Sequence, residues 1–174
     1  MKTFRSERRT TGTGNAVAGD TENAKPRAAV PDELCNCTTL RKAARHVSGL
    51  YDRALAPSGL RVTQYAILAE LGRSGPMTIT ELARAMVMER NGLGHNLRPL
   101  EREGLVSMEI GGDRRSRVIL LTRSGRARLA NAKTLWQQAQ DRFGAVFGPD
   151  RVQALRSLLI AATTAEYGDL ATGR

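Results

Sequence analysis

The chain has 174 residues, 41% of them hydrophobic and only 4% aromatic, and a formal net charge of +10. That length allows one domain, or at most two small ones, with a real core; so few aromatics exclude a stacking platform for single-stranded nucleic acid, and two cysteines exclude a disulfide framework. No apolar run approaches the ~20 residues of a membrane span, and the N-terminus lacks the apolar core of a secretory signal, so a cytoplasmic protein without a membrane partner is expected.

Residues 1–31 are rich in Thr, Gly, Asn, Ala and charge. Such a segment cannot bury enough surface to offset its ordering entropy, and it reads as a disordered, mildly basic tail. Residues 32–174 read as one folded domain. From Leu34 to Leu55 apolar residues fall at 40, 44, 47, 51 and 54, the steps of one helical face. Pro57, Ser58 and Gly59 break that helix. A second helix spans about Thr63 to Leu71, carries Tyr65, Ile67 and Leu68, and ends at RSGP. A third, ITELARAM, has Thr80 as its expected N-cap and Glu81 in its first turn, where the helix dipole favours an acid.

The fourth helix lies in ERNGLGHNLRPLEREG and ends at Gly104, a good C-terminal cap. Pro99 inside it implies a kink, or a helix that starts late enough to place proline in its first turns. Two strand-like pieces, LVSMEI and RVILLT, follow, joined by GGDRRS. Thr122 is the expected N-cap of a long helix with apolar positions 129, 132, 136, 139, 143 and 146, the series of a helix packed against another. Gly148 and Pro149 stop it. Asp150 is the expected cap of a last helix facing inward through Val152, Leu155, Leu158, Leu159 and Ala162. The predicted class is mostly α with a small β-wing (α+β): a winged helix-turn-helix with dimerisation helices at both ends, residues 32–57 and 129–172, around a DNA-binding lobe at 62–128.

From Gly111 to Arg128 there are six arginines against one acid, Asp113. Standing alone, such a run reads as a solvated charged face. Directly after a helix-turn-helix it suits phosphate contacts and minor-groove insertion, which makes Arg114, Arg115 and Arg117 candidates for contact with double-stranded DNA. On the fourth helix the candidates are Arg90, Asn91, His95, Asn96 and Arg98, because Asn can pair bidentately with adenine and Arg with guanine. Gly92 and Gly94 weaken that helix by up to ~1 kcal/mol each. The helices at the two ends leave apolar stripes that a single small domain cannot cover. A two-fold homodimer would cover them, and would set two recognition helices about one DNA turn apart.

The stretches LRVTQYAILAEL, TITELARAM, HNLRPLEREGLV and DRRSRVILLTRSGRARL resemble the MarR family, the multiple-antibiotic-resistance regulators. The last two are the most specific. The resemblance covers roughly residues 34–170 and implies a homodimeric winged-helix regulator, a repressor or an activator, released by a small aromatic or acyl ligand or by oxidation. It departs from the family at Glu89–Asn96, where Asn91 and His95 stand in place of the usual small hydroxylated residues.

The resemblance also implies an aromatic-acid pocket near the first two helices and the wing base. Arg41, Arg45, His46, Tyr51 and Tyr65 are its candidates, with ordinary surface residues as the competing account. Cys35 and Cys37 have three readings: small residues at a dimer seam, a redox pair, or metal ligands. A zinc site needs about four ligands and no second Cys pair exists, so no metal is expected. No catalytic constellation, nucleotide loop or cofactor motif is present, and an enzyme is not expected. A nonspecific architectural DNA-binding protein is the alternative that charge alone permits.

Overall fold

The computed structural model describes residues 35–111 and 117–167. The predicted tail at 1–31 and the wing-tip residues Arg114 and Arg115 lie outside them.

Six helices and three short strands follow in the order α1 (Asn36–Leu55), α2 (Val62–Ser74), β1 (Met77–Thr78), α3 (Ile79–Ala85), α4 (Arg90–Arg102), β2 (Val106–Ile110), β3 (Arg117–Leu121), α5 (Arg123–Phe147) and α6 (Pro149–Thr164). A single 3-10 turn, Ala56–Ser58, joins α1 to α2. The strands form one antiparallel sheet in the order β1-β3-β2, with Val106 opposite Leu121, Ile110 opposite Arg117, and Met77 opposite Ile119. β1 has only two residues, too few to show an alternating pattern, and it was not foreseen from the sequence.

The core sits where α2, α3, α4 and the sheet converge. Leu55, Ile67, Leu68, Leu71, Leu82, Leu93, Leu97, Leu100, Leu105 and Ile119 are each at most 2% exposed. Complete burial of a leucine contributes roughly 1.5–3 kcal/mol, so these side chains fix how the helices cross.

Several boundaries differ from the sequence reading. Thr78, not Thr80, caps α3. Its hydroxyl accepts from the Glu81 amide at 3.2 Å, and the Glu81 carboxylate accepts from the Thr78 amide at 2.8 Å, a reciprocal capping box. Thr78 belongs at once to β1 and to the cap, so the strand feeds straight into the helix. Pro99 is interior to α4, which starts at Arg90; the expected late start does not occur. Proline leaves the His95 carbonyl without a helical donor, and His95 lies on the exposed side where water can serve it.

Thr122 caps α5 as expected, accepting from Gly125 N at 3.0 Å. Asp150 does not cap α6: Gly148 occupies the N-cap, and Asp150 sits in the first turn with Pro149 ahead of it. Of the residues expected inward on α6, Val152 is buried and Leu155 is half-buried, while Leu158 and Leu159 are 69% and 38% exposed and Ala162 is exposed. Val146 near the end of α5 and Leu40 near the start of α1 are also exposed, at 81% and 49%. The apolar stripes of the end helices are therefore present but uncovered within one chain.

Candidate nucleic-acid interface

α4 has two faces. Leu93, Leu97 and Leu100 point into the core, at spacings of four and three. Between them Asn91, His95, Arg98 and Arg102 stand exposed at spacings of four, three and four. At 1.5 Å per residue, Asn91 and Arg98 lie about 10 Å apart along one side of the helix. The buried face sets the helix against α2, α3 and β2, and the exposed face presents an amide, an imidazole and two guanidiniums. These groups suit base edges and phosphates in a major groove.

Arg90 is exposed at the start of α4 as expected. Asn96 is not part of the outward set: its side-chain amide donates to the Gly92 carbonyl at 2.9 Å, and the residue is only half-exposed. Its amide reaches one turn back along its own helix to that carbonyl, so it is turned away from the outward row. Arg102 takes its place in the row, on the same face one turn beyond Arg98. The same four-and-three spacing, extended past Pro99, would have found it.

The turn entering α4 is strained. Val87 has φ 49°, the one non-glycine residue with positive φ among those described, and is 74% exposed. For a β-branched residue this conformation costs on the order of 1–3 kcal/mol. Glu89, the N-cap of α4, makes no side-chain capping bond, so the N-terminal amides of the helix remain free to meet an anion such as a phosphate.

The wing is a two-stranded hairpin, and Arg117, at the end nearest the connecting turn, is exposed. Its base is locked to the helices. The α4 end turns through Gly104 (φ +66°), and the Leu105 amide returns to the Leu100 carbonyl at 2.8 Å. The Thr122 hydroxyl donates to the Gly104 carbonyl at 2.7 Å. Gly125 packs so closely that a Cβ there would lie 2.0 Å from the Leu105 carbonyl oxygen.

The five ligand candidates do not form one pocket. Arg41, Arg45 and His46 are exposed on α1, while Tyr51 and Tyr65 are buried. His46 borders a cavity of about 460 Å³ between α1, α5 and α6 that is floored by Val47, Leu50, Phe143 and Leu155. Tyr51 lines a neighbouring depression of about 330 Å³ that shares Ala43, Val47, Phe143 and Leu155 with it. Tyr65 lines a third, of about 370 Å³, between α2 and α5, where Arg126 and Lys133 are the cations. The helical spacing that grouped the α1 residues could not show that α5 supplies the positive charge. Tyr65 stacks on Trp136 with ring centroids 5.7 Å apart, and burial holds its phenol pKa above the usual value.

Cys35 and Cys37 are both exposed and unpaired within the chain. Cys35 is the N-cap of α1 and Cys37 lies in its first turn, so the pair straddles the helix start. Hydrogen bonds from the Thr38 side chain and backbone lower the Cys35 thiol below its ordinary pKa. Among the described residues no cluster of three or more His, Cys, Asp or Glu is placed to hold a metal ion, and no helix is long and apolar enough to cross a membrane.

A helix-turn-helix domain model matches residues 63–109, the span from α2 to β2. Among solved structures, the M. tuberculosis transcriptional regulator MosR in complex with DNA is 40% identical to the chain; the match covers 75% of this chain and 97% of that one at a TM-score of 0.66. The transcriptional repressor CouR is 30% identical when bound to a 23-mer DNA duplex (74% of this chain, 92% of that one, TM-score 0.68), and it has also been solved with p-coumaroyl-CoA. The transcriptional activatory protein BadR of Rhodopseudomonas palustris is 36% identical over 78 residues, 42% of this chain. That match spans 45% of BadR, less than half its length.

Proposed function

Because the chain belongs to the MarR family of winged helix-turn-helix transcription regulators, we propose that it is a repressor that binds a palindromic operator as a homodimer and leaves it when a small aromatic or acyl ligand binds. The observation that carries the DNA reading is the outward row Asn91, His95, Arg98 and Arg102 on α4, held in place by Leu93, Leu97 and Leu100. The homodimer is supported by the continuous apolar groove along α1, α5 and α6, together with the exposed Leu158 and Leu159. A second copy of those helices would bury it.

For the effector we favour the depression between α2 and α5. Tyr65 offers an aromatic wall, Leu121 and Leu129 an apolar one, and Arg126 and Lys133 two cations at the rim. A flat acid or an acyl thioester with a phosphorylated tail needs that combination. The site touches both the dimer helix α5 and the wing strand β3, so a ligand there can favour one arrangement of the two. It shifts the DNA equilibrium only by its differential affinity for the two states.

The test begins with selection of binding duplexes from a random pool. A palindrome with two half-sites about one helical turn apart, bound tightly at 150 mM salt, is expected. Recovery of no preferred sequence would indicate a nonspecific architectural protein instead. Aromatic acids and acyl-CoA thioesters are then screened by thermal shift and by release of the selected duplex. Retention of a ligand response in Lys133→Ala combined with Arg126→Ala would move the effector elsewhere.

A second reading rests on the exposed Cys35 and its lowered pKa. An accessible thiolate is the form that oxidants attack. Here mild peroxide is expected to release the operator, and Cys35→Ser to prevent that release. Unchanged operator affinity after peroxide treatment excludes it.

A further inference from the structure

Arg128 joins three parts of the chain that are far apart in sequence. It lies on α5, one turn beyond Gly125. Its Nη1 donates to the Ser58 carbonyl at 2.9 Å, at the elbow between α1 and α2, and stands 3.6 Å from the Glu103 carboxylate at the end of α4. Glu103 is the C-cap of the recognition helix. An acid there opposes the helix dipole, and Ser58 likewise offers the carbonyl end of a turn, so one cation on α5 satisfies both negative ends.

The side chains of Arg128 and Glu103 are 36% and 41% exposed. An ion pair that exposed adds little stability. Its consequence is geometric: it ties the end of the helix that meets DNA to both the α1–α2 elbow and α5. The Thr122–Gly104 hydrogen bond and the close approach of Gly125 to Leu105 bring α5 and the wing base together nearby, but neither reaches Ser58. Among the described residues, Arg128 alone bonds α5 to both the elbow and the α4 end through its side chain.

We infer that Arg128 is a positioning residue for DNA recognition: it sets the angle of α4 relative to the dimer helices and so determines which half-site separation the dimer accepts. The inference rests on the homodimer reading above. Without two copies there is no separation to set.

The experiment uses the full chain and the palindrome selected by the wild type, with variants of that duplex carrying one base pair more or fewer at the centre. Wild type, Arg128→Met, Arg128→Lys and Glu103→Gln are compared for affinity on each duplex, thermal stability, and sedimentation. Wild type is expected to bind the native separation at least tenfold tighter than either altered one. Arg128→Met should lose most of that ratio, to about threefold or less, while remaining a dimer and keeping its affinity for random DNA. Glu103→Gln should fall between, because it keeps the tie to Ser58, and Arg128→Lys should fall between, because it keeps the charge without the guanidinium fork.

A full separation ratio in Arg128→Met overturns the inference. So does an equal loss of affinity on every duplex that follows the loss of thermal stability, because that marks a merely structural residue. Should wild type sediment as a monomer, the homodimer reading fails first and the inference falls with it; a wild-type dimer that binds all separations equally overturns the inference alone.

Discussion

Whether a polar side chain on α4 meets DNA depends on what else it can reach. Asn96 has found a partner in the Gly92 carbonyl, while His95 and Arg98 face outward. His95→Ala and Arg98→Ala are therefore expected to weaken operator binding by about 1–3 kcal/mol each. Asn96→Ala should change it by less than about 0.5 kcal/mol. Titration of the selected operator by fluorescence anisotropy separates the three, and a loss for Asn96→Ala as large as that for Arg98→Ala would show that Asn96 turns outward on DNA. Val87 gives a prediction of opposite sign. Left-handed geometry costs an L-residue about 1–2 kcal/mol, and glycine returns part of that as unfolded-chain entropy, about 0.4–1 kcal/mol. Val87→Gly should thus stabilise the free protein by roughly 0.5–1 kcal/mol, read from urea unfolding. Destabilisation would mean that the valine side chain packs usefully despite its exposure.

At the scale of elements, junctions matter more than individual helices. The capping box at the start of α3 makes stability depend on pH in a known direction. Hydrogen bonds from the Thr78 backbone amide, first, and then its hydroxyl hold the Glu81 pKa below the ordinary carboxylate value. Because the folded pKa is depressed, its contribution is present above the unfolded carboxylate pKa and is lost as pH falls through the folded one. Glu81→Gln should therefore be less stable than wild type near neutral pH, with the difference narrowing as pH falls below about 4.3. Melting curves across pH 3–7 would show it; a gap that stays constant would remove Glu81 as its cause. The junction at Gly125 is steric. A methyl group 2.0 Å from the Leu105 oxygen cannot be accommodated without moving backbone, so Gly125→Ala should cost on the order of 1–3 kcal/mol and displace α5 from the wing base. Chemical unfolding measures the first effect, and wild-type stability would contradict the close approach.

For the molecule as a whole, the uncovered groove along α1, α5 and α6 is the feature that one chain cannot satisfy. Truncation after Gly148 removes Val152, Leu155, Leu158 and Leu159 together. The shortened chain is expected to sediment as a monomer, and to lose at least a hundredfold in operator affinity because the two half-sites are no longer bound jointly. A truncated protein that still sediments as a dimer would place the interface elsewhere.

Periodicity and punctuation made most of the architecture legible. The 3-4 spacing of apolar residues, Gly148–Pro149 as a stop, Thr122 as a cap and the two strand-like pieces joined by GGDRRS all depend on near neighbours in the chain, and a sequence displays those directly. β1 is too short for any period, and the capping role passed from Thr80 to Thr78 because β1 pairs with β3 and delivers the chain to the helix two residues earlier. Arg41, Arg45, His46, Tyr51 and Tyr65 looked like one constellation because they lie close in sequence. The fold spreads His46, Tyr51 and Tyr65 over three depressions, and α5 supplies Arg126 and Lys133 beside Tyr65. The sequence by itself determined the helix-turn-helix, the basic wing and the family. Tertiary structure alone decided where the cations gather and how Arg128 ties α5 to Ser58 and Glu103. The first set follows from contacts within a few residues, and the second from contacts made across as many as 70.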